Sequence, residues 1–526
     1  MTTDASLPLQ PAQAIDGAPP WATHQWPAAQ PLVRPLPLPI ASRALLAAIA
    51  AGLLGQVLFA FQLLGLNFPL WIAVVLAAAW RFRPRDTRFD LLDAWLPAAA
   101  LVFAAFVALR ADGMLLLFDV VAACSLTLAA VVALGGHALT RGSWQRVIGL
   151  AAKAIAVYWV GAAYVLPGAK PGAAALAGSR GQRWWPIARG LAIALPLLIV
   201  FAVLFAAADA IFQAQLRSMI DLESLGPEFV PRAIAASVAG WLFAGTLACA
   251  WIFHRPAAEK PHEGSFVGRL GTTEALVVLV LLNVMFGAFA LLQAVYLFGG
   301  ADTFAASGMT YSDYARRGFF ELIAAAFLAG GVIVILDRLV VAHGTSYRVA
   351  AAALAALTGV VVLSAFVRLG LYQAAYGWTE LRFYALAAIG WLALSVMMTL
   401  IAVLANRARW LPQLVILSGL AVAVVCNAVG PQAFVTDQNL HRAIHPELVA
   451  PGGFDGLDFD YLRILGADSV PSLVAARDQL QPEMAAQVDF VLRNNAEDLR
   501  RDSTLGWQSW NLARQRALDA LTAGGY

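Results

Sequence analysis

Four arginines, two glutamates and three tyrosines gather at the ends of three consecutive apolar stretches, and these are the side chains best suited to chemistry. The first stretch opens as Tyr311-Ser-Asp-Tyr-Ala-Arg-Arg-Gly-Phe-Phe-Glu-Leu322. Asp313, Arg317 and Glu321 fall at i, i+4 and i+8, so both acids reach Arg317 along one helix face. Glu321 lies about a turn deeper in the apolar segment, where an unpaired carboxylate is costly. The second stretch ends with Arg368, and Tyr372 and Tyr376 continue its spacing. Gly377 releases that helix, Thr379 caps the next, and Glu380 falls in the first turn, where negative charge is favoured. Arg382 and Tyr384 follow. Arg316, Arg317, Glu321, Arg368, Glu380 and Arg382 would then share one pocket with Tyr372, Tyr376 and Tyr384. The surplus is positive, and planar, always-charged arginine suits a carboxylate or phosphate. On this reading the arginines hold the anion, Glu321 and Glu380 orient the guanidiniums, and the tyrosines line the pocket. The structural alternative is an ion-pair network that fastens helix ends where they meet water.

Four further polar groups stand in or beside apolar runs. Asp119 lies in Gly-Met-Leu-Leu-Leu-Phe-Asp-Val-Val, about 12 Å along its helix. It would either hold a proton or cation, or be protonated and bonded to a neighbouring helix. Asp209 closes another run and would join the arginine cluster or remain a solvated helix end. Gln293 and Asn283 share one run and suit interhelical hydrogen bonds. His441 and His445 follow Asp437 at helical spacing, but Pro446 ends the helix and no fourth ligand is evident, so they read as surface histidines and no metal site is expected. There is no P-loop, no His-Glu-x-x-His, no dinucleotide glycine fingerprint and no nucleophile elbow. No cofactor is expected.

The elements that must position these groups are membrane helices. Hydrophobic residues make up 61% of the 526 and charged residues 13%, a balance that takes the bilayer as its solvent. Spans of about 20 apolar residues are read near 41–64, 66–80, 91–109, 111–135, 188–208, 231–254, 272–298, 317–336, 349–371, 379–404 and 411–430. The second is short and carries Pro69. The fold class is therefore all-α, a polytopic helical membrane protein with about eleven transmembrane helices. Arginine and lysine concentrate in alternate loops, such as Arg81, Arg83, Arg85, Arg88, Arg141 and Arg146, which makes that side cytoplasmic. The apolar stretch 147–166 is read as an interfacial or re-entrant helix on the same side, with Lys153 near the headgroups. Cys124, Cys249 and Cys426 lie in different spans and read as packing residues.

Residues 1–40 are proline-rich and lack helical periodicity, as a disordered cytoplasmic tail would. A four-helix segment follows at 41–135, an interfacial segment at 136–187 and a membrane core at 188–430. Within that core, 209–231 fits a short amphipathic helix on the outer surface, and 255–271 is a cytoplasmic loop. Residues 435–526 hold eight arginines, no lysine and 13 acidic residues, a formal charge of −5. With eleven spans and an inside N-terminus, this region is a small extracytoplasmic helical domain. Its helices are expected at 460–465, from about Ser469 with Pro471 in the first turn, and at 482–501 and 505–522. A net charge of +3 argues for no nucleic-acid partner.

Membrane lipids are the expected surroundings. The expected function is recognition or transport of an anionic small molecule or lipid at the outer-facing cluster, with Asp119 as the mid-membrane polar group on a transport path. One alternative is an envelope sensor or scaffold that binds a protein partner through the C-terminal domain. Another is a glycosyl- or phosphotransferase using a lipid-linked donor. It is disfavoured because the first outer loop, Gly65–Phe68, holds no acid.

The chain resembles the bacterial membrane family called domain of unknown function 4173, which is related to domain of unknown function 4153. The resemblance rests on Gln293-Ala-Val-Tyr-Leu-Phe-Gly-Gly300, Tyr314-Ala-Arg-Arg-Gly-Phe-Phe-Glu-Leu322 and Tyr376-Gly-Trp-Thr-Glu-Leu-Arg382. It continues through Asp460-Tyr-Leu, Leu465-Gly-Ala-Asp-Ser-Val-Pro471 and Trp507-Gln-Ser-Trp-Asn-Leu-Ala-Arg514. It covers roughly the last two-thirds, from Gly190-Leu-Ala-Ile-Ala-Leu-Pro196 onward. Trp378 stands where the family often has leucine, an apolar exchange. The resemblance implies a polytopic bacterial membrane protein and assigns no reaction, ligand or catalytic residue; the expected location is the inner membrane.

Overall fold

The computed structural model describes residues 36–142, 144–166, 228–254, 271–298, 319–340, 344–405, 410–449 and 456–526. The described residues are built from helices joined by short connections. Eight of these helices are long and apolar enough to cross a membrane, and 67–82 and 322–337 are shorter apolar helices. The expected span 188–208 and the expected surface helix 209–231 lie wholly or mostly outside the described residues. The tail 1–35 and the loop 255–270 also lie outside them.

The first bundle consists of α1 (Leu38–Phe59), α2 (Asn67–Phe82), α3 (Trp95–Leu109), α4 (Gly113–Leu134), α5 (Trp144–Val165) and α6 (Phe229–Ile252). Small residues let the backbones approach, as membrane helices require. A Cβ built on Gly52 would lie 2.6 Å from the Ala236 carbonyl oxygen, and one on Gly161 would lie 2.5 Å from the Gly245 Cα. Read as interfacial or re-entrant, α5 packs its second half along α6, with the Cys249 thiol 3.7 Å from the Ala154 carbonyl. The walls of α1, α2, α4, α5 and α6 leave an apolar cavity of about 670 Å3 between them.

The second bundle holds α7 (Thr272–Phe298), α8 (Phe319–Leu339), α9 (Thr345–Tyr376), α10 (Glu380–Leu404) and α11 (Leu411–Val429). Its core is Leu279, Ile333, Leu354, Leu369 and Ile389, all buried. Asn283 donates to Leu279 O in its own helix and to Ala350 O in α9, both at 2.8 Å, which is the interhelical bonding expected of it.

The C-terminal region starts earlier than composition suggested. Helix α12 (Pro431–Ile444) follows α11 directly through Gly430. Then come α13 (Phe459–Ile464), α14 (Val470–Ala476), α15 (Pro482–Ser503) and α16 (Leu512–Ala523) around their own apolar core. The last helix begins at 512 and not at 505, because Gly506–Asn511 is spent on gripping the membrane bundle. Trp510 O accepts from the Leu66 amide at 2.9 Å, and Arg514 donates to Leu64 O at 2.8 Å. Asn511 donates to Val107 O and Arg110 O. The α1–α2 loop, the α3–α4 turn, the α9–α10 turn and the end of α11 therefore meet the C-terminal helices at one end of the molecule. At the opposite end the α4 terminus abuts Phe253, His254 pairs with Asp86, and Gln413 donates to Gly142 O. The arginine-rich loops around residues 83–90 and 137–146 lie at that second end.

Candidate functional site

At the docked end, α9 must stop and α10 must start within three residues. Gly377 does this with φ +74°, a conformation that side chains with a Cβ resist. Thr379 caps α10 by accepting from the Arg382 amide at 3.3 Å. Asn439 of α12 clamps the junction, accepting from the Trp378 amide at 2.8 Å and donating to its carbonyl at 2.9 Å.

The junction concentrates positive charge. Arg382 donates to Tyr376 O at 3.1 Å and to Gly377 O, and its guanidinium carbon lies 4.1 Å from the Tyr372 ring centre. Tyr372 and Tyr376 meet edge to face at 5.2 Å. Arg442 of α12 donates to Gln373 O at 3.2 Å and Ala374 O at 2.9 Å. Two arginines thus satisfy carbonyls that the end of α9 leaves open. Burial, and then the Arg382 charge, pull the Arg442 guanidinium below its ordinary value. Arg368 is buried, at 8% exposed, on the helix face that continues to Tyr372 and Tyr376.

Glu380 and Tyr384 do not join them, which corrects the single-pocket expectation. Helical residues advance about 100° each, so 380 and 384 share a face while 382 points away. Glu380 accepts from Gln432 Nε2 at 2.9 Å, and its amide donates to the Tyr461 hydroxyl at 2.7 Å. Tyr384 donates to Asp112 at 3.0 Å, and the other Asp112 oxygen caps α4 through the Leu115 amide at 2.9 Å. Glu380 and Asp112 are near enough for their carboxyl groups to interact directly. Burial pushes the Tyr461 phenol up. This face is therefore an acid, amide and phenol network that ties α4, α10, α12 and α13 together.

A second knot lies beside it. Arg110 donates to Asn427 O and Ala428 O at the end of α11 and pairs with Asp468 at 3.4 Å. Asp468 also accepts from the Ala111 amide at 2.7 Å, yet burial pushes its carboxyl up. Two turns deeper, fully buried Asp119 accepts from Asn427 Nδ2 at 2.8 Å. Its second oxygen and Asn427 Oδ1 have no hydrogen-bond partner among the described residues. Asp119 is thus bonded to α11.

Arg316, Arg317 and Asp209 lie outside the described residues. Glu321 and Gln293 fall in α8 and α7 by backbone, and their side chains are outside what is described. His441 and His445 are exposed, and no group of three or more metal-type ligands occurs among the described residues. Sequence reasoning missed Arg442, Asp112, Gln432, Asn439, Tyr461 and Asn427. Only Asp112 carried a local signal, a helix-capping aspartate before Gly113.

The family model described as Domain of unknown function (DUF4153) matches residues 97–476, from α3 through the end of α14. The match begins well before Gly190 and ends before the Trp507–Arg514 stretch. No curated protein and no solved structure matches the chain. The matched span is more than half of the chain and carries the α9–α10 junction with Arg382 and Arg442, so the chain belongs to the DUF4153 family.

Proposed function

We propose that the chain is a bacterial inner-membrane protein that recognises an anionic ligand, a solute or a lipid headgroup, at the α9–α10 junction. The observation that carries this reading is that Arg382 and Arg442 both bond to carbonyls at the end of α9, with the Arg382 guanidinium over the Tyr372 ring, so two positive charges gather at one helix end. Such a pair is relieved by an anion, and guanidinium forks suit carboxylate and phosphate. Arg368 extends the positive surface inward. In this reading about eleven helices span the membrane. The N-terminus is cytoplasmic, and the end that carries the C-terminal helices faces the envelope, as the arginine-rich opposite loops favour. Within the wider family, the quoted motifs fit the related domain of unknown function 4173. Asp119 with Asn427 is the polar step a transport path would use.

The test is binding by the full chain in detergent, read by thermal shift with inorganic phosphate and with phosphatidylglycerol vesicles. Arg382→Gln with Arg442→Gln should weaken whichever probe binds by about tenfold or more, since charge-assisted hydrogen bonds are lost. Unchanged affinity in the double variant removes the proposal.

A second reading, an envelope scaffold, draws on Trp507 and Trp510, which are 59% and 42% exposed on the C-terminal region. Large exposed indoles mark partner surfaces. Photocrosslinking from position 507 that traps one envelope protein, with neither phosphate nor phosphatidylglycerol bound, would favour it.

A further inference from the structure

The membrane part buries one carboxyl that the junction does not use. Asp119 stands in α4, in a stretch whose other residues from Met114 to Ala123 are apolar. Asp119 and its α11 partner Asn427 are 0% and 1% exposed. Asn427 Nδ2 donates to Asp119 Oδ1 at 2.8 Å and to Ala423 O in its own helix at 3.1 Å. Those two bonds fix the orientation of the amide, because turning it would set an oxygen against two acceptors. Asp119 Oδ2 and Asn427 Oδ1 are left over, both buried and both without a hydrogen-bond partner among the described residues.

With Asp119 ionised, both leftover atoms are acceptors and neither can satisfy the other. An unmatched buried acceptor is costly, and an unmatched buried charge more so. The surroundings do not supply the match. The titratable and charged groups that interact with Asp119 are Asp112 on its own helix, Arg110 at the end of α3 and the Cys426 thiol of α11. Arg110 is spent on Asn427 O, Ala428 O and Asp468. Asp112 is spent on the Leu115 amide and the Tyr384 hydroxyl, and Glu380 of α10 faces Asp112. Helices α2, α5 and α6 bring no charged group to Asp119 among the described residues. A hard metal cation takes about six oxygens or more, and only two lack partners here among the described residues. One hydrogen serves both. On Asp119 Oδ2 it turns an acceptor into a donor, and a carboxylic acid and a primary amide then close a ring of two hydrogen bonds.

We propose that Asp119 and Asn427 form a proton-binding site, in which Asp119 Oδ2 carries the proton and donates to Asn427 Oδ1. The proton comes from water, one O–H bond forms and the carboxylate charge is cancelled; no other group changes state. The pair then fastens α4 to α11 through two bonds, at the residue whose carbonyl Arg110 grips. Release of the proton leaves two acceptor oxygens across the α4–α11 contact, so proton exchange and loosening of that contact go together. The inference names the ion for the polar step suggested above for a transport path. Only that use rests on the proposed function, and the site stands whether or not the Arg382–Arg442 junction binds an anion.

The experiment is infrared difference spectroscopy of the full chain in lipid nanodiscs at about pH 6, where an ordinary aspartate is ionised. Wild type minus Asp119→Asn should show one carboxylic-acid C=O band that shifts down in D2O. In Asn427→Leu that band should move to higher frequency, because its acceptor is gone. Asp119→Asn offers an N–H in place of the O–H, so its thermal midpoint should match that of wild type. Carboxylate bands in place of the acid band overturn the proposal and leave an ionised Asp119 bridged to Asn427 by a trapped water. An acid band unmoved in folded Asn427→Leu also overturns it, because the proton would then not be given to Asn427. If Asn427→Leu does not fold, the difference between wild type and Asp119→Asn decides alone. Phosphate and phosphatidylglycerol titrations of Asp119→Asn should match wild type, so failure of the proton site and failure of the anion site show separately.

Discussion

Gly377 is the residue on which the α9–α10 junction turns. Alanine there would take a backbone region essentially reserved for glycine. Its Cβ would stand 2.8 Å from Asn439 Oδ1, which is already bound to Trp378. Gly377→Ala should cost about 1–3 kcal/mol, measurable as a lowered midpoint of thermal unfolding, whereas Gly370→Ala, whose Cβ meets open space, should not. The turn itself was legible in the sequence, since Gly377, Thr379 and Glu380 carry local rules for ending and starting helices. The opposed faces of Glu380 and Arg382 were also implicit in the helical repeat. Their partners were not, because Arg442, Gln432, Asn439 and Tyr461 lie dozens of positions away and no local pattern names them. A second residue-scale test concerns Asp489, gripped by the Arg477 fork at 2.8 and 2.9 Å. Arg477 first, with help from the Tyr526 hydroxyl, holds that carboxyl at about 2 against an ordinary 3.8. A depressed carboxyl stabilises fully above its ordinary value and loses that contribution as pH falls through the folded one. The protection factors of amides at the start of α15, taken relative to intrinsic exchange at each pH, should therefore fall between about pH 4 and pH 2. Asp489→Asn should show low protection factors across that window with no step.

The α1–α2 loop shows how whole elements are fastened. Asn67 is fully buried, accepts from the Gly65 amide and donates to Leu58 O and Leu63 O, all at 2.9 Å. The shaped loop then receives Ser509, Trp510 and Arg514. A Cβ on Gly65 would lie 2.4 Å from Trp510 O, so Gly65→Ala should push the C-terminal helices off the bundle. Limited proteolysis should then cut near residues 503–511 several-fold faster than in wild type, while the spans stay intact. Equal cleavage rates would mean that the grip is not needed for docking. Hydrophobic run length located eight helices long and apolar enough to cross a membrane, because apolar length is a local property, while the expected spans 66–80 and 317–336 fall on the shorter apolar helices 67–82 and 322–337. It placed the end of the first span too late, at 64 and not at Phe59, since 60–66 is apolar in sequence yet serves as a loop. Helix α12 went unrecognised because its near-neutral mixture of polar and apolar residues is held by α14 and α10 through tertiary contact and not by a strong local pattern.

Across the whole molecule, two ends differ in chemistry. One carries the acidic C-terminal helices, the Arg382–Arg442 junction and the Asp112–Glu380 network, and the other carries the arginine-rich loops. Alternation of basic loops suggested this division, and the docking of residues 506–514 onto residues 62–66 agrees with it. The proposed anion site depends on which compartment each end meets. The direct measurement is labelling of a Tyr526→Cys variant, with Cys124, Cys249 and Cys426 replaced by alanine, using a membrane-impermeant maleimide on intact spheroplasts. The account expects Tyr526→Cys to react at once and a matched Arg85→Cys variant to react only after lysis. If Arg85→Cys reacts in intact spheroplasts and Tyr526→Cys waits for lysis, the junction faces the cytoplasm and envelope recognition is contradicted.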